Sequence, residues 1–468
     1  MAGVVLGVAA QATLQAATLT WDGGGANDQW GTAGNWDPAS APNNGDSVIF
    51  DGTTRLTISN APWGRQLQSV AFASDAGAFT VNGGMLAVGS GGITNNSTNT
   101  QTINSRIELS ANQTWNAANG AIISNDSYFN ATNKNLTLTG GSTITIAGQV
   151  ANAGILTLAG SGNRNFTSTT SMSATTVDIN NTGTNTFSAQ VNATTLNLTA
   201  GTSYFNKTGT SAQIGSGGVN IGGTANATFA GNVGSSGGYN ITSSGDINFA
   251  GNITSGALTL NGTGTTTLSG NGGNSISSTT VNSGTLVMAQ TGSGDAINGP
   301  LVVNGGSVVF EGDGQIPTWT SVTLNDGAVF DLGDTVQEFT NLIVNGNAII
   351  DFGTGGSELD ITNITLNGDS VLTILNWNDS LDSFFANYDP GSSSLAQVIF
   401  DGYGEATWDP YDSGGFITPG TPVPEPAAYG LMFVGGLLGL VLNRRQTRPS
   451  PVRLPGMRPA KPGPFVTY

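Results

Sequence analysis

Cys and His carry much of the nucleophilic, acid–base and metal chemistry of proteins, and neither occurs in this chain of 468 residues. Ser-His-Asp and Cys-His catalysis are therefore excluded, as are the usual zinc sites and any disulfide framework. Chemistry here would have to run through carboxylates, hydroxyls, Tyr or one of very few lysines. Within the long middle of the chain Asp178 and Asp246 are isolated, and Asp326, Asp331, Asp334 and Asp351 form the one moderate cluster. No Lys or Arg lies near that cluster to support a lyase, and a glycosidase would need two carboxylates converging in a groove. A second acidic group (Asp379, Asp382, Asp389, Asp401, Glu405, Asp409, Asp412) offers oxygen ligands of the kind Ca²⁺ takes, but in no calcium-loop spacing. An acidic solvated surface is the expected role. No cofactor and no bound metal are expected.

The elements that would hold these residues are strands. Segments such as NLTLTGGSTITIAG and LIVNGNAIIDFG alternate apolar with Thr, Ser or Asn and end at Gly, with no helical period. An apolar residue followed by Asn recurs at Leu260-Asn261, Val281-Asn282, Val303-Asn304, Leu324-Asn325, Val344-Asn345 and Leu366-Asn367. The Asn positions are separated by 21, 22, 21, 20 and 22 residues, and looser copies run back to Leu138-Thr139. Strands and turns repeating at this period predict a parallel β-helix of about 20–22 residues per coil. Leu286, Val308, Val329 and Ile349 are expected to point inward as apolar columns. Gly and Asn would sit at the corners, the Asn amides bonding to one another as a ladder. Tandem β-sandwiches of the same composition are the competing arrangement.

Charge is distributed unevenly along the chain. The net value is −17, but six of the twelve basic and none of the 29 acidic residues follow Asn443, so the first 443 residues carry −23 and the last 25 carry +6. An acidic body argues against nucleic acid as a partner. The polarity between body and tail instead suggests membrane topology. Residues 427–443 contain no charge and predict one C-terminal transmembrane α-helix, slightly short for a typical span. Arg444 and Arg445 would hold its end in the cytoplasm, and Pro422, Pro424 and Pro426 keep the preceding segment extended.

Two stretches resemble known families. Gly264–Phe310, with its TLSG…TTVNSGTL core, resembles the autotransporter-associated β-strand repeat, which implies a passenger-like β-helix on the cell exterior. No C-terminal stretch has the alternating strands of a membrane barrel, so export through such a barrel is not expected. The tail, PGTPVPEPAAYGLMFVGGLLGLVLNRR, resembles the PEP-CTERM sorting signal, with Pro424, Glu425 and Pro426 as its signature tripeptide. That resemblance implies recognition and cutting by an exosortase, a membrane-embedded cysteine protease, after export across the inner membrane of a Gram-negative-type bacterium. A permanent single-pass anchor is the competing account of the tail.

The expected organisation follows. Residues 1–17 read as a signal peptide without a basic leader, with Ala10-Gln11-Ala12 as one cleavage pattern. Residues 18–130 form an N-terminal cap and first irregular coils, and 131–370 the solenoid. Residues 371–418 form a C-terminal cap, 419–445 the sorting signal, and 446–468 a basic Pro-rich cytoplasmic tail. In the first cap Trp21, Trp30, Trp36 and Trp63 either stack on sugars or plug the open end, and the plug is the favoured reading. The whole points to a non-enzymatic surface or matrix β-solenoid, handled by secretion machinery and an exosortase, whose outer face could contact exopolysaccharide. A polysaccharide-active β-helix enzyme is the alternative.

Overall fold

The computed structural model describes residues 16–420, and the expected signal peptide (but for Ala16 and Ala17), sorting signal (but for Pro419 and Gly420), transmembrane helix and basic tail lie outside them. The described chain is a parallel β-solenoid of about 16 turns with coils of about 21 residues. Among the described residues no helix is long and apolar enough to cross a membrane.

Each regular coil contributes to three stacked parallel ladders. The first starts at Thr18–Trp21, passes to Ser47–Phe50 and continues to the C-terminal half of Glu358–Leu366. The second runs from Thr57–Ala61 to Val398–Phe400. The third begins in the N-terminal half of Arg65–Phe72 and ends at Ser383–Ala386. Its strands are interrupted between Ile253–Ser255 and Val336–Val344. There buried glutamines take over the pairing: Gln315 Oε1 accepts the Gln290 N–H at 2.8 Å, and Gln337 Oε1 accepts the Gln315 N–H at 2.9 Å.

Alternation places every second side chain in the lumen, where apolar residues fill columns. Phe166, Phe187, Phe205, Phe229 and Phe249 stack on successive coils of the second ladder, with centroids 5.0, 4.8, 4.4 and 5.1 Å apart. Leu286 and Val308 are fully buried, as the pattern requires. Val329 and Ile349 are not: they lie half-exposed on the outer face, and Phe330 and Ile350 occupy the column instead. The cause is a turn one residue longer. Val303 pairs with Leu324 and Val308 with Phe330, so the second coil has one more residue between strands than the first. Ala328 fills that turn, buried, with its N–H on the Asn325 carbonyl at 3.0 Å.

Corner geometry is demanding at Gly284, which has φ +71°. A Cβ there would lie 2.5 Å from the Gly262 carbonyl oxygen of the preceding coil. Gly284→Ala is therefore expected to lose about 2 kcal/mol, left-handed strain and a backbone clash combining. A lowered urea midpoint checks this.

Both ends are covered. At the start Trp36–Asp37 pairs antiparallel with Thr18–Trp21, and the Trp36 ring lies 5.1 Å from Trp21 and 5.0 Å from Trp30. Trp21, Trp30 and Trp36 are buried, whereas Trp63 is 75 % exposed and takes no part in the plug. At the other end an antiparallel hairpin, Gly404–Tyr411 with Gly414–Pro419, pairs back onto the last strands of the second and third ladders. Such closure covers edges of the stack on which another chain could add.

Candidate functional site

The carboxylates of the cluster within the coils hold turns. Asp326 accepts the Asn347 N–H at 3.1 Å, and Asp331 the Gly333 N–H at 3.0 Å. Asp334 accepts from Thr354 and Gly355 at 2.9 and 2.6 Å. Asp351 is buried and accepts from Gly353 N–H at 2.9 Å and the Asn376 amide at 2.6 Å. Asp331 and Asp351 sit in register on adjacent coils, while Asp326 and Asp334 occupy the turns on either side. Their shared task is to satisfy backbone N–H groups that the corners leave unpaired.

The acidic residues of the C-terminal cap divide similarly. Asp382 accepts the Ser357 and Asn378 N–H groups at 2.9 and 2.7 Å, and Asp389 the Gly391 N–H at 2.8 Å. Burial raises the Asp382 pKa, against the pull of its two N–H donors. Asp379 receives the Trp377 indole N–H at 2.5 Å. Trp377, Asp379, Asp382, Tyr403 and Phe416 line a cavity of about 470 Å³ beneath the hairpin. Asp401, Glu405, Asp409 and Asp412 are exposed. Among the described residues no group of three or more acidic side chains could hold a metal ion.

The recurring Asn residues do form a ladder. Asn367 donates to Asn345 at 2.7 Å, Asn345 to Asn325 at 2.9 Å, and Asn325 in turn to Asn304. Asn304 donates to Asn282 and Asn282 to Asn261, both at 2.6 Å, and Asn261 ends on Asn240 at 3.0 Å. Each Nδ2 points one coil toward the N-terminus. Asn240 escapes the repeat frame because it is an outward strand residue, not a corner one.

From Asn240 the polar array continues on the strand face. Thr157, Asp178, Asn197, Asn220 and Asn240 are in register on five successive coils of the first ladder. Asn220 donates to Asn197 at 2.9 Å and Asn197 to the Asp178 carboxylate at 2.7 Å. These five side chains floor an open groove of about 390 Å³. Alternating polarity marks these residues as outward in the sequence, but only the stacking shows that they align.

The residues expected to direct sorting, Pro424, Glu425, Pro426, Arg444 and Arg445, lie outside the described residues. No curated protein and no solved structure matches the chain. One family does match, over a short segment that contains all five of those residues. Residues 422–446 carry the PEP-CTERM protein-sorting motif, which implies recognition by an exosortase and export with a membrane-anchored sorting tail in a Gram-negative cell.

Proposed function

We propose that this chain is a non-enzymatic surface or extracellular-matrix component, a stiff β-solenoid of the autotransporter-associated repeat type delivered and released through its tail. The observation that carries the reading is the match at residues 422–446, which follows directly on a closing hairpin that ends at Pro419. The solenoid is thus capped at its C-terminal end before the sorting segment starts. In this reading Arg444 and Arg445 remain cytoplasmic while the apolar segment 427–443 tethers the body outside. The exosortase then cuts near Pro424-Glu425-Pro426, and the tether is temporary.

A structural role is supported by how the carboxylates clustered in the coils are used. Asp326, Asp331, Asp334 and Asp351 cap turns, and the largest buried side chains are lumen fillers. Stacked coils give a body whose stability is a sum over neighbouring coils. That suits a part whose work is to span distance and display a regular outer face.

Pro424→Ala/Glu425→Ala/Pro426→Ala tests the delivery. The variant is expected to accumulate uncut in the membrane fraction, and deletion of the exosortase is expected to reproduce that accumulation. Unchanged processing in both strains would overturn the sorting reading, and a parent that itself stays uncut in the membrane would leave the tail a permanent single-pass anchor.

A further inference from the structure

The amide ladder has one break, and the break lies in the groove. Asn240 Oδ1 accepts from the Asn261 amide, while Asn220 donates its amide hydrogens to Asn197 Oδ1 and the Gly217 carbonyl. Asn220 and Asn240 are register partners, yet no hydrogen bond joins them. The Asn240 amide nitrogen and the Asn220 amide oxygen are left without a partner among the described residues. Both residues line the groove. A free amide donor beside a free amide acceptor, one rung apart, is the complement of a hydroxyl group, which donates and accepts at once.

Two features of the chain accompany this arrangement. The strand carrying Asn220 has a bulge, so that Ala193 pairs with Ile214 but Thr195 with Gly218. On the corner beside the strand the side chains of Asn180, Thr199 and Thr242 form a wall, and at the intervening coil the corner residue is Gly222. The wall is therefore lowest beside the unpaired amides. The five floor residues span four steps of about 4.8 Å, or about 19 Å along the stacking direction. Each step is close to the length of one hexose in an extended chain.

We propose that this groove binds an extended neutral polysaccharide lying along the stack, with sugar hydroxyls bridging Asn220 and Asn240 and further hydroxyls on Asn197, Asp178 and Thr157. Neutrality follows from charge. The chain carries −17 overall and the groove holds one carboxylate and no cation, so a polyanion is repelled. The assignment rests on the reading of the protein as an exported surface component, since that is where it would meet such a polymer.

Calorimetric titration of the full chain in detergent, with cellohexaose, mannohexaose and the acidic hexagalacturonate, tests it. At least one neutral hexasaccharide is expected to bind. Asn220→Ala/Asn240→Ala should weaken binding roughly tenfold or more. Gly222→Leu should do the same by filling the groove. Its backbone is outside the left-handed region, and the nearest atom to an added Cβ is the rotatable Thr242 hydroxyl at 2.8 Å. Asn345→Ala, in the intact ladder beyond the groove, should bind as the parent does. The proposal is overturned if neither neutral hexasaccharide binds, if hexagalacturonate binds better, or if the groove variants bind like the parent. Tail processing in cells is expected to be unchanged in these variants, so a failed groove leaves the delivery reading standing, and failed delivery leaves the titration unchanged.

Discussion

Arg164→Ala is expected to cost about 3–4 kcal/mol, whereas Arg164→Leu at the same position should cost less than about 1.5 kcal/mol. Arg164 is fully buried in the lumen, in register between Ile144 and Asn185 on the second ladder. Its guanidinium meets carbonyl oxygens only: Leu138 at 3.3 Å, Ser142 at 2.9 Å, Asn163 and Gly140 at 3.0 Å, and Ala159 at 2.6 Å. Truncation to Ala opens a cavity the size of the whole side chain. Leu refills most of it with no charge to desolvate. The abandoned carbonyls do not all become orphans, because those of Leu138, Gly140 and Asn163 already accept backbone N–H groups at 2.8, 3.0 and 2.9 Å. Equal destabilisation by Ala and Leu would show that the hydrogen bonds, not the filled volume, hold this coil.

The same pair of proteins has a pH signature. Burial lowers the Arg164 pKa from its ordinary, higher value to about 10. Between those values the unfolded chain holds a proton that the folded chain has released, so Arg164 makes stability rise with pH across that window. Tyr239 acts oppositely. Burial raises its hydroxyl pKa from the usual 10, so its contribution falls as pH climbs above 10. Taking the difference between the parent and Arg164→Leu cancels the tyrosine, and that difference should shift in favour of the parent above pH 10.

These buried polar groups mark where the sequence stops being readable. Asn261, Asn282, Asn304, Asn325, Asn345 and Asn367 could be placed in one column because their spacing is nearly constant and each follows an apolar strand end. Spacing also made the coil length legible. Val329 and Ile349 could not be placed correctly, because one added turn residue in each coil reverses which face a strand residue meets. Arg164, Gln315 and Gln337 are hidden for a different reason: a polar residue in an alternating segment reads as outward. Only the stacked neighbours show that its donors are met by lumen carbonyls and by backbone of the next coil. The groove was illegible on both counts, since it needs the register of five coils and the missing side chain of Gly222.

Trp36→Ala should have the largest effect at the N-terminal end, and a local one. Trp36 packs edge-on against Trp21 and Trp30, lies 6.0 Å from Phe50, and donates its indole N–H to the Trp30 carbonyl at 2.8 Å. Removing it takes away about 3–5 kcal/mol of packing from the first coils. In a stack held by neighbour interactions that loss need not spread. Amide exchange should accelerate across Val48–Phe72 while Leu301–Val344 keeps the protection of the parent. Once the plug loosens, the first rungs of the first and second ladders become an open edge, so light scattering should rise with concentration. Trp63→Ala is the control. At 75 % exposure its removal should stay within about 0.5 kcal/mol, with no new scattering. If Trp36→Ala instead slows or speeds exchange evenly along all coils, the solenoid unfolds as one cooperative unit and the first coils are no more than part of it. If exchange changes only at the first coils, Trp21, Trp30 and Trp36 act as the end-plug that an otherwise uniform stack requires.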